Sequence, residues 1–193
     1  MGTYKQECKQ RKGPKPPLDA ARLRDLGLTY VARYATSGAR LERYLKRKLR
    51  ELGWVDDSPP PDLAALVQDY VQAGYIDDTG FAVARSSSLL RRGYGARRVD
   101  QALGQDGIAP EIRASVAASE AKLRRAALAM ATKRRFGPFG GDPPDKERRQ
   151  KQLSAMLRAG HALDFARQMV NAASRELAEE WAHELDDEQD DDS

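Results

Sequence analysis

Apolar residues recur at helical spacing along almost the whole chain, and no stretch alternates long enough to predict a strand. The clearest helix is Gly38 to Leu52. Leu41, Tyr44, Leu45, Leu49 and Leu52 share one face, and Arg40, Arg43, Arg47 and Arg50 form a stripe roughly opposite. Ser37 is the expected N-cap, because its oxygen can accept an orphan backbone N–H. Gly53 is the expected end, because glycine tolerates the left-handed C′ conformation. The same reading predicts helices near 19–35, 78–92 and 120–135. Two more carry Leu63, Leu66, Val67, Tyr70 and Val71, and Leu163, Ala166, Met169, Val170 and Ala173, and a short one opens at Pro110.

An internal repeat organises these helices. An apolar residue stands four before a glycine three times, at Leu49/Gly53, Leu103/Gly107 and Met156/Gly160, and these glycines are 54 and 53 residues apart. Each glycine closes a second helix, with one helix before it and one after. The expected fold is all-α, with three tandem three-helix, helix-turn-helix-like repeats stacking into an elongated, curved body. The expected divisions are a disordered basic arm at 1–17, repeats at 18–74, 75–119 and 120–185, and a disordered acidic tail at 186–193. In the third repeat Gln152 occupies the position of Leu45 and Val99, which predicts that its core face shifts to Leu153, Met156 and Leu157.

Charge sharpens this picture. All 33 Lys and Arg precede Glu184, whereas Glu184 to Ser193 holds seven of the 29 acidic residues. A basic body with an acidic tail points to a polyanionic partner. Cys8 is the sole cysteine, which excludes an internal disulfide and agrees with a reducing compartment. The N-terminus lacks the apolar segment of a secretory signal, and the longest apolar run, Ala126 to Ala131, is too short for a membrane span. The expectation is a cytoplasmic protein without a membrane partner.

The densest positive charge flanks Gly93-Tyr94-Gly95, where Arg85, Arg91, Arg92, Arg97 and Arg98 surround one bend. A second concentration comprises Lys133, Arg134, Arg135, Arg148, Arg149 and Lys151. Guanidinium groups match carboxylate and phosphate with a fixed fork of donors. Tyr94 suits either a stacking ring or a packing wedge. Phe136 and Phe139 are expected to anchor their loop on the core. The candidate contact set is Arg85, Arg91, Arg92, Tyr94, Arg97, Arg98, Arg134, Arg135, Arg148 and Arg149.

Signals of catalysis are nearly absent. His161 and His183 lie far apart, outside any metal-ligand spacing, and His161 falls where Trp54 and Ile108 stand in the other repeats, which predicts packing. No phosphate-cradling loop or dinucleotide fingerprint occurs, so no cofactor is implied. Asp77 or Asp78 is the expected cap of the helix that follows. A nuclease using Asp77, Asp78 and Asp100 and a stand-alone helix-turn-helix DNA binder are the competing readings.

The runs GYIDDTGFAVARS (74–86) and LLRRGYGARRVDQAL (89–103) resemble the RecX family of bacterial recombinase regulators. So do Val31 to Gly53, KRRFGPF (133–139), and RRQKQLSAMLRAGH (148–161) with the Phe165 that follows. The resemblance spans about 28–173 in the same order. It implies three tandem three-helix repeats and a non-enzymatic modulator of the recombinase RecA, and the chain is expected to be a monomer. The implied partner is the RecA filament on single-stranded DNA, with weak direct DNA binding. The implied effect is lowered ATP hydrolysis and strand exchange, tuning recombinational repair and the SOS response. The chain departs from the family pattern at Ala96, Asp106, Gly80 and Arg40. These stand where proline, a basic residue, a charged residue and a capping-box acid are usual.

Overall fold

The computed structural model describes residues 16–55, 57, 59, 61–141 and 144–185. The basic arm through residue 15 and the acidic tail from residue 186 lie outside the described residues. Ten α-helices occur among those described: α1 (Ala20–Arg33), α2 (Gly38–Leu52), α3 (Leu63–Gln72), α4 (Asp78–Arg91), α5 (Ala96–Gln105), α6 (Pro110–Ser115), α7 (Glu120–Arg134), α8 (Lys146–Arg158), α9 (Leu163–Asn171) and α10 (Arg175–His183). A 3₁₀ turn (Gly137–Gly140) precedes α8. The described residues form no strand beyond an isolated bridge between Leu18 and Trp54.

Local chemistry sets the helix starts. Asp19, Ser37, Asp62, Asp77, Asp145 and Ser174 each accept the backbone N–H three residues on, which satisfies one orphan donor of the first turn. Asp77, rather than Asp78, therefore caps α4. Pro110 takes the first position of α6, where a missing N–H costs nothing.

Three apolar clusters follow one another along the chain. The first joins Leu18, Leu23, Leu41, Leu45, Leu63, Leu66, Tyr70 and Ile76. The second joins Ala82, Leu89, Leu90, Val99, Leu103 and Ile108, and borrows Ala126 from α7. The third is built on Ala127, Met130, Ala131, Phe139, Met156, Ala166, Met169, Val170 and Ala178. Helix α7 thus serves two cores with successive residues, and its alanines keep both sides close.

Two expectations need correction. Gln152 stays inward instead of ceding the core face to its neighbours. It is only 6% exposed, while Leu153 and Leu157 are half-buried. Its Oε1 accepts the N–H of Gly137 at 3.0 Å, so a buried amide ties the 3₁₀ turn to α8. The third group also holds a fourth helix. Ala178 of α10 is buried on the third core, and Trp181 meets Phe165 edge-on at 5.3 Å. Arg124 of α7 clamps α10 by donating to the Trp181 carbonyl and pairing with Glu184 at 2.7 Å.

Candidate partner-binding surface

The Gly-Tyr-Gly turn is first of all a joint. Helix α4 ends with Gly93 N–H donating to Leu90 and Tyr94 N–H to Leu89. The chain then meets the end of α8. Gly95 N–H donates to the Ala159 carbonyl at 3.0 Å, Arg97 N–H to Gly160 at 3.2 Å, and the Arg97 guanidinium to Leu157 at 2.6 Å. Orphan donors at the start of α5 are thereby satisfied by orphan carbonyls at the end of α8. The approach is backbone on backbone: a Cβ at Gly95 would fall on the main chain of Gly160 and His161.

His161 completes this joint. It is 5% exposed, and its Nε2 lies 3.0 Å from the Gly93 carbonyl. A carbonyl can only accept, so the neutral ring carries its proton on Nε2. Nδ1 is buried with no partner. Burial holds the ring below its ordinary pKa, against the smaller opposite pull of the Gly93 carbonyl. The group is a neutral packing histidine, as its position in the repeat predicts.

A second joint connects the first and second cores with the same polarity but mostly through side chains. Ser37 Oγ donates to the Asp106 carbonyl at 2.6 Å and Arg43 to Gln105 at 2.8 Å. Gly38 N–H donates to Asp78 at 2.9 Å. The Asp106 carboxylate gathers Arg85 at 3.1 Å and Arg40 at 3.9 Å, and Arg40 also lies over Phe81. The start of α2 is thus docked on the end of α5, as the start of α5 is docked on the end of α8.

This geometry sorts the candidate residues. Arg91, Arg92, Arg97 and Arg98 are exposed around the α5–α8 joint, and none has a carboxylate partner among the described residues. Arg97 is tied to Leu157 and Arg98 reaches Gln101. Arg85 is apart from them, neutralised by Asp106. Tyr94 is half-buried against the second core, with Arg92 5.5 Å from its ring centre. Its body packs while its edge stays within reach of solvent. Arg134 and Arg135 are exposed at the end of α7, and Arg135 closes that helix in the left-handed region at φ 55°. The carbonyl of Arg135 and the guanidinium of Arg148 both border Gly140, so the 3₁₀ turn brings these two residues near each other. Arg149 lies beside it and reaches the Pro144 carbonyl at 3.3 Å. Phe139 is buried in the third core and Phe136 packs against it.

Periodicity missed a third feature. Tyr30, Tyr34 and Tyr44 form a row, with Tyr30 stacked on Tyr44 at 4.2 Å and tilted against Tyr34 at 5.2 Å. Arg47 and Lys48 lie over the Tyr44 ring at 5.6 and 5.8 Å. The i,i+4 spacing of Tyr30 and Tyr34 at the end of α1 is the sequence signal that could have found it.

The acids considered for catalysis all have structural partners. Asp77 caps α4, Asp78 holds Gly38, and Asp100 pairs with Arg113 at 2.8 Å. Among the described residues no group of three or more His, Cys, Asp and Glu could hold a metal ion. No described helix is long and apolar enough to cross a membrane.

No family model matches the sequence. The chain is 29% identical over 182 residues to the regulatory protein RecX of Myxococcus xanthus, covering 85% of this chain and 93% of that one. It is 32% identical over 136 residues to RecX of Agrobacterium fabrum, covering 68% and 72%. With RecX of Halorhodospira halophila it shares 30% over 155 residues, covering 80% and 89%. The crystal structure of RecX from Lactobacillus salivarius superposes with a TM-score of 0.60 at 14% identity, over 78% of this chain and 93% of that one. Another RecX crystal structure gives 0.62 at 18%, over 78% and 70%. Both share the all-α fold.

Proposed function

Since the chain belongs to the RecX family of regulatory proteins, we propose that it regulates a RecA recombinase by binding its filament on single-stranded DNA. Binding lowers the filament's ATP hydrolysis and strand exchange. The observation that carries this reading is the group of exposed guanidiniums of Arg91, Arg92, Arg97 and Arg98, without a carboxylate partner among the described residues, beside a joint made by hydrogen bonds between helix ends. Clustered, unneutralised arginines suit the phosphates and carboxylates of a nucleoprotein filament. Arg134, Arg135, Arg148 and Arg149 extend the same chemistry on the third core. Weak contacts to successive subunits of a polymer add up to useful avidity. A clamp across subunits selects one filament state and slows the motions that turnover requires.

The test is the single-stranded-DNA-dependent ATPase of the cognate recombinase, titrated with wild type and with the triple variant R91A/R92A/R98A. Arg97 is kept because its guanidinium holds α8. The variant should fold as wild type and need about tenfold more protein for half-inhibition, the equivalent of about 1.4 kcal/mol, with a shallower dependence on salt. A folded triple variant that inhibits like wild type would remove this surface from the mechanism.

A further inference from the structure

Helix α1 ends at a shallow depression of about 690 Å³ between α1 and α2. Its lining includes the rings of Tyr30, Tyr34 and Tyr44 and the side chains of Arg33, Arg40, Arg47 and Lys48. Four of these are cations and none is a carboxylate. Three of the chain's seven tyrosines meet here. Tyr34 heads the row and is 57% exposed. It is not a loose surface ring, because its own N–H donates to Tyr30 at 3.0 Å and its ring rests on that of Tyr30, which rests in turn on Tyr44. None of the three hydroxyls has a hydrogen-bond partner among the described residues.

We propose that this depression binds unpaired nucleic-acid bases, with Tyr34 as the stacking ring and Arg33, Arg47 and Lys48 as the phosphate contacts. A base offers a flat π-face of any sequence, and an aromatic ring backed by others is a preorganised partner for it. Arg33 stands next to Tyr34, and Arg47 and Lys48 close the far end of the row over Tyr44. Arg47 and Lys48 share Glu51, at 3.5 and 2.6 Å, in exposed pairs within α2. Such pairs are weak and exchange readily for a phosphate. Arg40 is held by Asp106 and Phe81 and frames the depression instead. Duplex DNA hides its base faces in the stack, and an acidic peptide would use the cations but not the rings. Single-stranded nucleic acid uses both.

The proposal deepens the nucleic-acid side of the regulatory reading. Its test contains no recombinase, so either reading can fail without the other. The full-length protein is titrated against a fluorescein-labelled oligo(dT) of about 20 nucleotides, with fluorescence anisotropy as readout. A duplex of equal length and a poly-glutamate peptide serve as controls. Tyr34→Ala should weaken oligo(dT) binding by about tenfold, Tyr34→Phe should retain it, and neither should change duplex or peptide binding. Arg33→Ala should weaken oligo(dT) binding and flatten its salt dependence. Tyr34 is exposed, so unchanged circular dichroism accompanies a true loss of stacking. Three outcomes overturn the proposal: wild type that ignores oligo(dT), Tyr34→Ala that binds it like wild type, or equal losses on oligo(dT), duplex and peptide.

Discussion

Replacing Gly95 with alanine separates the joint between α5 and α8 from any reading of local propensity. Gly95 is the N-cap of α5 at φ −84° and ψ 171°, a conformation every residue adopts. On local grounds the substitution is near neutral. The unfolded chain loses about 0.4–1 kcal/mol of entropy advantage, and alanine is the poorer cap by about as much. In the folded protein the new methyl falls on the main chain of Gly160 and His161, where no side chain can swing away. Overpacking of this kind costs about 1–3 kcal/mol. If the joint spreads, the bonds from Gly95 and Arg97 to Ala159 and Gly160 weaken too, at about 1 kcal/mol each. The expected destabilisation is about 3 kcal/mol. Gly104 is the control on the same helix. A methyl there meets only the Arg113 guanidinium, at 3.2 Å. Gly104→Ala should therefore stabilise by up to about 1 kcal/mol. Urea unfolding followed by far-UV circular dichroism compares the three proteins. A Gly95→Ala midpoint at or above that of wild type would refute the close approach and the joint with it.

Two further outcomes follow from buried polar groups. Gln152→Leu restores the residue type that the repeat calls for, yet it strands the buried Gly137 N–H and should cost about 1–3 kcal/mol in the same urea assay. His161 should make the joint acid-sensitive. Its folded pKa lies below the unfolded value, so as pH falls below about 6.5 the unfolded chain gains a proton that the folded chain refuses. Unfolding free energy should decline over that window in wild type, and His161→Gln should show a shallower decline between pH 7 and pH 5.5.

The helices were legible because their apolar spacing and caps are local. Ser37 and Pro110 announce the starts of α2 and α6 from the sequence alone, the Asp77-Asp78 pair marks that of α4 without choosing between its members, and the all-α class follows from that periodicity. Helix α10 was missed although Ser174 caps it and Ala178, Trp181 and Ala182 carry the spacing, because the acidic residues around them look like the beginning of the tail. Pattern reading also treats each position as apolar or polar, and so it expelled Gln152, whose amide pairs with a backbone group fifteen residues away. The arginine clusters were visible as composition, but their roles depend on contacts between elements. Nothing local says that Arg85 faces Asp106, 21 residues on, while Arg91 and Arg92 face water. The tyrosine row crosses from one helix to another and escapes periodicity for the same reason.

The bridge at Leu18 has a consequence for the end of α2. Twice along the chain the beginning of one helix sits on the finish of a counterpart further on. The position matching Gly160, an acceptor at the end of α8, is Gly53 at the end of α2. Its carbonyl is already taken, by Leu18 N–H at 3.0 Å, while Val55 N–H returns to the Leu18 carbonyl at 3.0 Å. A single extended residue thus covers, from within the chain, the end of α2 that corresponds to the docked end of α8.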